Sequence, residues 1–215
     1  MARPSSQVTK NPLFLAYLNQ LSAHPLRTKA LTTGTLCFLQ EVLGSHLANL
    51  PVQKPAKDAP FYSRVLTRAK VDSRAVKMAL YGLLVSAPLG HFLVGQLQKA
   101  FAGKSGRAAK LGQVVASNLI VAPIQTIFYL SSLAVVSGAQ SWNDVKKTVK
   151  GGFFPVIKVM WVSSPLSIAF AQNFLSPELW VPFFNLVSFV LGTYFNTKLK
   201  RLRRSAEKKN DDKSQ

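Results

Sequence analysis

Hydrophobic and polar residues come in long blocks along this chain, without the close alternation of a soluble amphipathic fold. The longest apolar block runs from Phe153 to Asn196, and between Val159 and Thr197 its only formal charge is Glu178. Ser176-Pro177-Glu178 divides it into two segments of roughly 17 residues, each suited to the ~30 Å hydrocarbon core of a bilayer. Three blocks precede it: Ala30 to Leu50, closed by Pro51; Met78 to Leu97; and Gln113 to Val136. A soluble helix as long as the third would show a charged face, and this one shows none. In the second, Gly82, Ser86 and Gly90 recur every fourth residue, the small-residue spacing that lets membrane helices approach closely, and Pro88 predicts a kink.

The pattern predicts an all-α fold, a polytopic membrane helical bundle of about four transmembrane helices plus short interfacial helices. Five apolar segments are countable; the expectation of four treats one as broken or shallow. Residues 1–29 form a polar and interfacial N-terminal region, residues 30–197 the multi-span membrane domain, and residues 198–215 a basic tail. Asn11 to Leu21 predicts an amphipathic helix with Asn11 as N-cap and Pro12 at its first position. Phe61 to Val76 predicts a second interfacial helix.

Charge sharpens this picture. The 215 residues are 48% hydrophobic yet carry a formal net charge of +19, with a mean hydropathy of +0.16. The 27 Lys and Arg fall almost entirely between the apolar blocks, where loops meet lipid headgroups. If all five segments cross, eight basic residues share the side of the N-terminal region and residues 98–112, and nineteen share the other. The positive-inside rule puts the tail in the cytosol in this and the two four-span arrangements. The lone Cys37 permits no internal disulfide, so nothing points to an oxidising compartment. The N-terminus lacks the apolar core of a secretory signal, and Pro4 and Pro12 interrupt any mitochondrial presequence helix. The final Asp-Lys-Ser-Gln is not a peroxisomal matrix signal, which a membrane protein would not need.

Candidate chemistry is sparse. Three scattered His, one Cys and no paired carboxylates within an apolar segment provide no nucleophile–base pair, metal site or cofactor site, so an enzyme is not expected. Gly103-Lys104-Ser105 is like the end of a phosphate-binding loop, but Gln98 stands where that motif needs Gly, and no strand precedes it. A nucleic-acid partner is not needed to explain basic residues that topology and anionic lipids already account for. What remains is a set of polar residues at membrane depth: Gln40, Glu41, His91, Asn118, Gln125, Gln172 and Asn173. Two readings stand side by side. They line a small-solute channel, or they form interhelical hydrogen bonds averaging ~0.6 kcal/mol each. Glu41 is the most demanding, because a mid-membrane carboxylate costs at least ~2.5–3.5 kcal/mol and must face protein or a water cavity.

Several residues fall in a familiar order. Tyr17-Leu18 and His24-Pro25-Leu26-Arg27-Thr28-Lys29 open the series; Asp72, Arg74, Tyr81-Gly82, Pro88 and His91 continue it. Trp161 and Pro165 then keep a Trp-x-x-x-Pro spacing, followed by Asn173-Phe174, Pro182 and Tyr194. This order resembles the family of Mpv-seventeen and the twenty-two-kilodalton peroxisomal membrane protein, most closely its fungal peroxisomal branch, from about Leu15 to Asn196. The family signature falls on Asp72, Arg74, Gly82, Pro88, Trp161, Pro165, Phe174 and Tyr194. The chain departs from it at Ala87, Ser117-Asn118, Ser164, Ile168 and Leu186, and Asn173-Phe174 stands about two residues late. The resemblance implies a four-span integral protein of the peroxisomal membrane or, alternatively, the mitochondrial inner membrane. It also implies a link to channel-like permeation of small metabolites, with no established enzyme in the family. A structural or scaffold protein recruiting partners through basic loops is the alternative. The expected partners are the lipid bilayer, anionic lipids and peroxisomal membrane-protein import factors; a homo-oligomer is left open.

Overall fold

The computed structural model describes residues 11–49, 73–103, 106–176 and 179–214, and its regular elements there are all helical. Asn11 starts helix α1 (Pro12–Ala23) as expected: its Oδ1 accepts the Leu13 N–H at 3.0 Å, and Pro12 fills the first turn, where a missing N–H goes unnoticed. Helix α2 (Pro25–Leu47) begins at the next proline, ahead of the apolar block, and takes in Arg27 and Lys29. Helix α3 is Ser73–Ala100. Helix α4 joins Arg107–Ala116, Ser117–Val121 and Ala122–Val136, helix α5 is Trp142–Phe174, and helix α6 is Trp180–Ser214. Ser141 and Asp144 close α5 with a reciprocal capping box. Asp72, the Pro177-Glu178 break and the interfacial helix expected over Phe61 to Val76 lie outside the described residues, apart from 73–76, which open α3.

Among the described residues, three helices are long and apolar enough to cross a membrane: α3, α4 from Leu111, and α5. The two more polar helices, α2 and α6, complete the bundle. Helix α2 packs on α1, α3 and α6; α4 packs between α3 and α5; and α5 returns to α6. Side-chain pairs fix the directions. Gly34 of α2 meets Ala79 and Leu83 of α3, Gly90 of α3 meets Gln125 of α4, and Leu130 of α4 covers Gly152 of α5. Phe170 of α5 stacks on Phe183 of α6 at 5.5 Å between ring centroids. Successive helices from α2 to α6 therefore run antiparallel, and α6 runs parallel to α2. About four crossings were expected; among the described residues five antiparallel helices are found, three of which carry a stretch apolar enough to cross a membrane. Cys37, Met78, Tyr81 and Leu133 form the core where α2, α3 and α4 meet, flanked by Tyr129, Val136 and Leu199.

The two prolines of α3 and α4 are approached in the same way. In α3 the turn Gly82–Ser86 is π-helical and ends just before Ala87-Pro88; in α4 the turn Ser117–Val121 is π-helical and ends just before Ala122-Pro123. Proline has no N–H, and its ring clashes with the carbonyl four residues back, so a widened turn ahead of it relieves the strain. The extra residue also rotates the helix face. Gly82 accordingly packs on α2 while Gly90 meets Gln125 of α4, so the every-fourth-residue spacing does not form the single face that the sequence suggests.

Helix α6 continues unbroken from its apolar half into the basic segment. The expected start of a tail at Lys198 therefore coincides with no break in the helix. That continuity places the functional candidates described next.

Candidate functional site

The buried face of α2 is made by Gly34, Cys37, Glu41 and Gly44, at alternating spacings of three and four. Two of these are glycines, which brings the neighbouring backbones close, and one is a carboxylate. On α6, Gly192, Asn196 and Lys200 recur every fourth residue and face this stripe. A Cβ on Gly44 would lie 3.0 Å from the Asn196 amide, and one on Gly192 would lie 2.5 Å from Gln40. Two parallel helices thus interlock through small residues and amides, as close-packed membrane helices do.

Glu41 sits at the centre of this interlock and is 2% exposed. Its Oε1 pairs with the Lys200 ammonium at 2.7 Å, and its Oε2 accepts from Asn196 Nδ2 at 2.7 Å. Asn196 Nδ2 also donates to the Gln40 carbonyl at 3.1 Å. The Lys200 Nζ donates further to the Glu41 carbonyl at 3.1 Å and to Ser45 Oγ at 2.7 Å, so each of its three protons has an acceptor. A buried ion pair repays the removal of both charges from water only when such extra bonds complete it. This one is complete.

Beyond Lys200 the clamp continues along the end of α2. A helix leaves its last carbonyls without partners, and basic side chains are suited to take them. Arg201 Nη2 donates to the Leu47 carbonyl and Arg204 Nη1 to that of Asn49, both at 2.7 Å. Asn49, at φ 52, takes the left-handed conformation that commonly closes a helix. Three of the basic residues assigned to a tail are therefore consumed in holding α2 and α6 together.

The other sequence-predicted polar residues do not converge on Glu41. Gln40 Nε2 donates to the Ser188 carbonyl of α6. Gln125 lies against Gly90. His91, Gln172 and Asn173 are exposed, and Asn173 donates to the Ala169 carbonyl of its own helix. Asn118 also turns inward on its own helix, donating to Val114 at 2.9 Å. Asn185 reaches the Tyr17 hydroxyl of α1 at 3.4 Å. An open groove of about 490 Å³ is lined by His24, Leu26, Arg27, Leu83 and Pro88 and by none of the seven candidates.

The signature residues have mostly packing roles. The widened turn in α4 directs the Ala122 N–H to Ser117, and Pro123 offers none. The Asn118 carbonyl is left without its usual donors, and Trp161 Nε1 of α5 fills the gap at 2.9 Å. Trp161→Phe should leave that carbonyl unpaired and cost about 1–3 kcal/mol, read as a lowered midpoint of unfolding in detergent micelles. Gly82 lets α2 approach, Phe174 packs tilted against Phe170 at 5.0 Å between ring centroids, and the Tyr194 ring lies under Lys198 at 5.8 Å. Pro165 lies inside α5 and Pro88 follows the π-turn of α3. Arg74 stands in the first turn of α3.

Asn196, Lys200, Ser45 and Gly192 were missed as site residues. The signal existed: Glu41 needed a cation, and the repeat Gly192–Asn196–Lys200 carried one across the assumed domain boundary. Among the described residues, the buried Ser163 Oγ, Thr193 Oγ1 and Asn196 Oδ1 have no partner.

The Mpv17 / PMP22 family profile matches residues 134–196. The chain is 51% identical over 193 residues to the Woronin body membrane protein wscA of Aspergillus fumigatus, covering 90% of this chain and 79% of that protein. It is 52% identical over 189 residues to the Woronin sorting complex protein of Neurospora crassa, covering 87% of this chain and 57% of that longer protein. The peroxisomal membrane protein PMP22 of Arabidopsis thaliana is 24% identical over 92% of this chain and 95% of its own length. No solved structure matches the chain.

Proposed function

The chain belongs to the Mpv17 / PMP22 family, and from that premise we propose that it is an integral protein of a peroxisome-type membrane that acts there as a structural organiser, in the sorting of Woronin-body-type organelles. The likeness to two Woronin proteins, at 51% and 52% identity over the aligned residues, supports the sorting role, and the likeness to PMP22 supports the peroxisomal membrane. One structural observation carries the organiser reading over the solute channel: the polar residues that a pore needs are already spent. Glu41 is neutralised by Lys200 and satisfied by Asn196, Asn118 and Asn173 bond their own helices, and His91 and Gln172 are exposed away from that buried network. Helix α6 instead forms a rigid element clamped to α2, presenting a basic end at one face of the membrane. The test is complementation of Aspergillus fumigatus lacking wscA. The tagged chain should co-localise with peroxisomal and Woronin-body markers and restore normal body segregation. Location in mitochondria alone, or correct location without restored segregation, would refute the proposal.

A solute-permeation role retains one supporting observation, the unpartnered buried Ser163, Thr193 and Asn196 oxygens, since such atoms favour internal water. Liposomes carrying inserted protein should then pass small organic acids faster than empty ones; equal flux removes this second reading.

A further inference from the structure

The clamp separates the basic residues of one membrane face into two groups that the sequence presents as one. Lys200, Arg201 and Arg204 are spent on α2. Lys77 of α3, Lys146 and Lys150 of α5, and Lys198 of α6 are exposed. The antiparallel order puts all four at the same end of the bundle. Among the described residues, none of them meets a carboxylate: Glu41 is occupied by Lys200 and Asp144 by its Ser141 cap.

Each of the four shares a helix face with a large apolar side chain one turn away. Lys77 is followed by Leu80, 51% exposed; Lys146 follows Trp142, 69% exposed; Lys150 precedes Phe154, 65% exposed. Lys198 lies over the Tyr194 ring, itself half exposed. Residues three or four apart on a helix are neighbours, so the same arrangement recurs on three separate helices. An apolar side chain left this open belongs in lipid. A lysine one turn away carries its charge to the headgroup level on a flexible stem, and aromatic residues mark that same level.

We propose that Lys77, Lys146, Lys150 and Lys198 form a collar that binds acidic phospholipid headgroups of the leaflet in which the protein sits. A soluble acidic protein is the poorer occupant, because it would have to cover the apolar neighbours as well as the charges. The inference rests on membrane residence and stands whether or not the protein organises Woronin-type bodies.

The full chain is reconstituted in phosphatidylcholine bilayers with trace spin-labelled phosphatidylserine or phosphatidylcholine, and the motionally restricted fraction of each label is compared. Phosphatidylserine should be preferred roughly fivefold or more, about the effect of a single surface lysine, and the preference should shrink with added salt. Replacing the four lysines by glutamine should bring the preference to near unity without changing the unfolding midpoint, whereas Arg201→Gln should lower the midpoint and spare the preference. Equal restriction of both labels by the native chain would overturn the proposal, as would a preference that survives the fourfold variant. Binding of soluble polyglutamate that displaces phosphatidylserine through Arg201 and Arg204 instead of these lysines would also overturn it.

Discussion

Lys200→Met is expected to destabilise the bundle by about 3–5 kcal/mol, because it leaves the Glu41 carboxylate buried without its cation. Combining it with Glu41→Gln should recover most of that loss, since the double variant buries no charge and the new amide still accepts from Asn196. The expected coupling far exceeds the ~0.6 kcal/mol of an average hydrogen bond between membrane helices. It is read from a double-mutant cycle on unfolding in mixed detergent micelles. Additive losses would mean that the two side chains do not act as a pair. The penalty has a second consequence: α2 carries an uncompensated carboxylate until α6 is in place, so a chain ended before Lys200 should hold α2 poorly in the membrane.

The second large effect is expected at the α2–α3 contact. A Cβ added to Gly82 would stand 2.8 Å from the Thr33 carbonyl, 2.9 Å from the Gly34 Cα and 2.9 Å from Cys37 Sγ. Two of these are backbone atoms of α2 and cannot swing aside, so Gly82→Ala must push the helices apart. Overpacking of this kind costs about 1–3 kcal/mol. Gly95→Ala in the same helix is the control, because nothing lies within 4 Å of its added Cβ and alanine is the better helix former by up to ~1 kcal/mol. Opposite shifts of the unfolding midpoint are predicted for the two variants. A neutral Gly82→Ala would place the α2–α3 contact elsewhere.

Local signals read well from the sequence, and non-local ones did not. Asn11-Pro12 predicts the start of α1 because a cap depends only on the next two residues, and the block pattern predicts the helices because lipid imposes length and polarity on each span separately. Glu41 stands out as a residue needing a partner. Its partner did not, because Lys200 lies within a run of basic residues that resembles an ordinary cytosolic flank. Only the fold tells the lysine at 200, turned to α2, from the one at 198, turned outward. The register of α3 was illegible for a different reason: one extra residue in the π-turn moves Gly90 off the face of Gly82, and nothing in Gly82–Ser86 distinguishes that turn from a regular one. All five apolar segments are countable in the sequence, and the expectation of about four treats one of them as broken or shallow; what the sequence does not show is that the two more polar helices, α2 and α6, are stabilised as a pair.

The account turns on α6 lying parallel to α2 with its basic segment folded against it. The direct measurement is a disulfide between the two helices. A Cβ on Gly44 would stand 3.3 Å from that of Asn196, close to the short end of the range for bonded cysteines. In a Cys37→Ala background, Gly44→Cys with Asn196→Cys should oxidise within one chain in native membranes, giving a faster-migrating monomer that reverts on reduction. Pairing Asn196→Cys with Gly95→Cys should give none. Absence of the first cross-link, or its formation only between chains, would contradict the clamp.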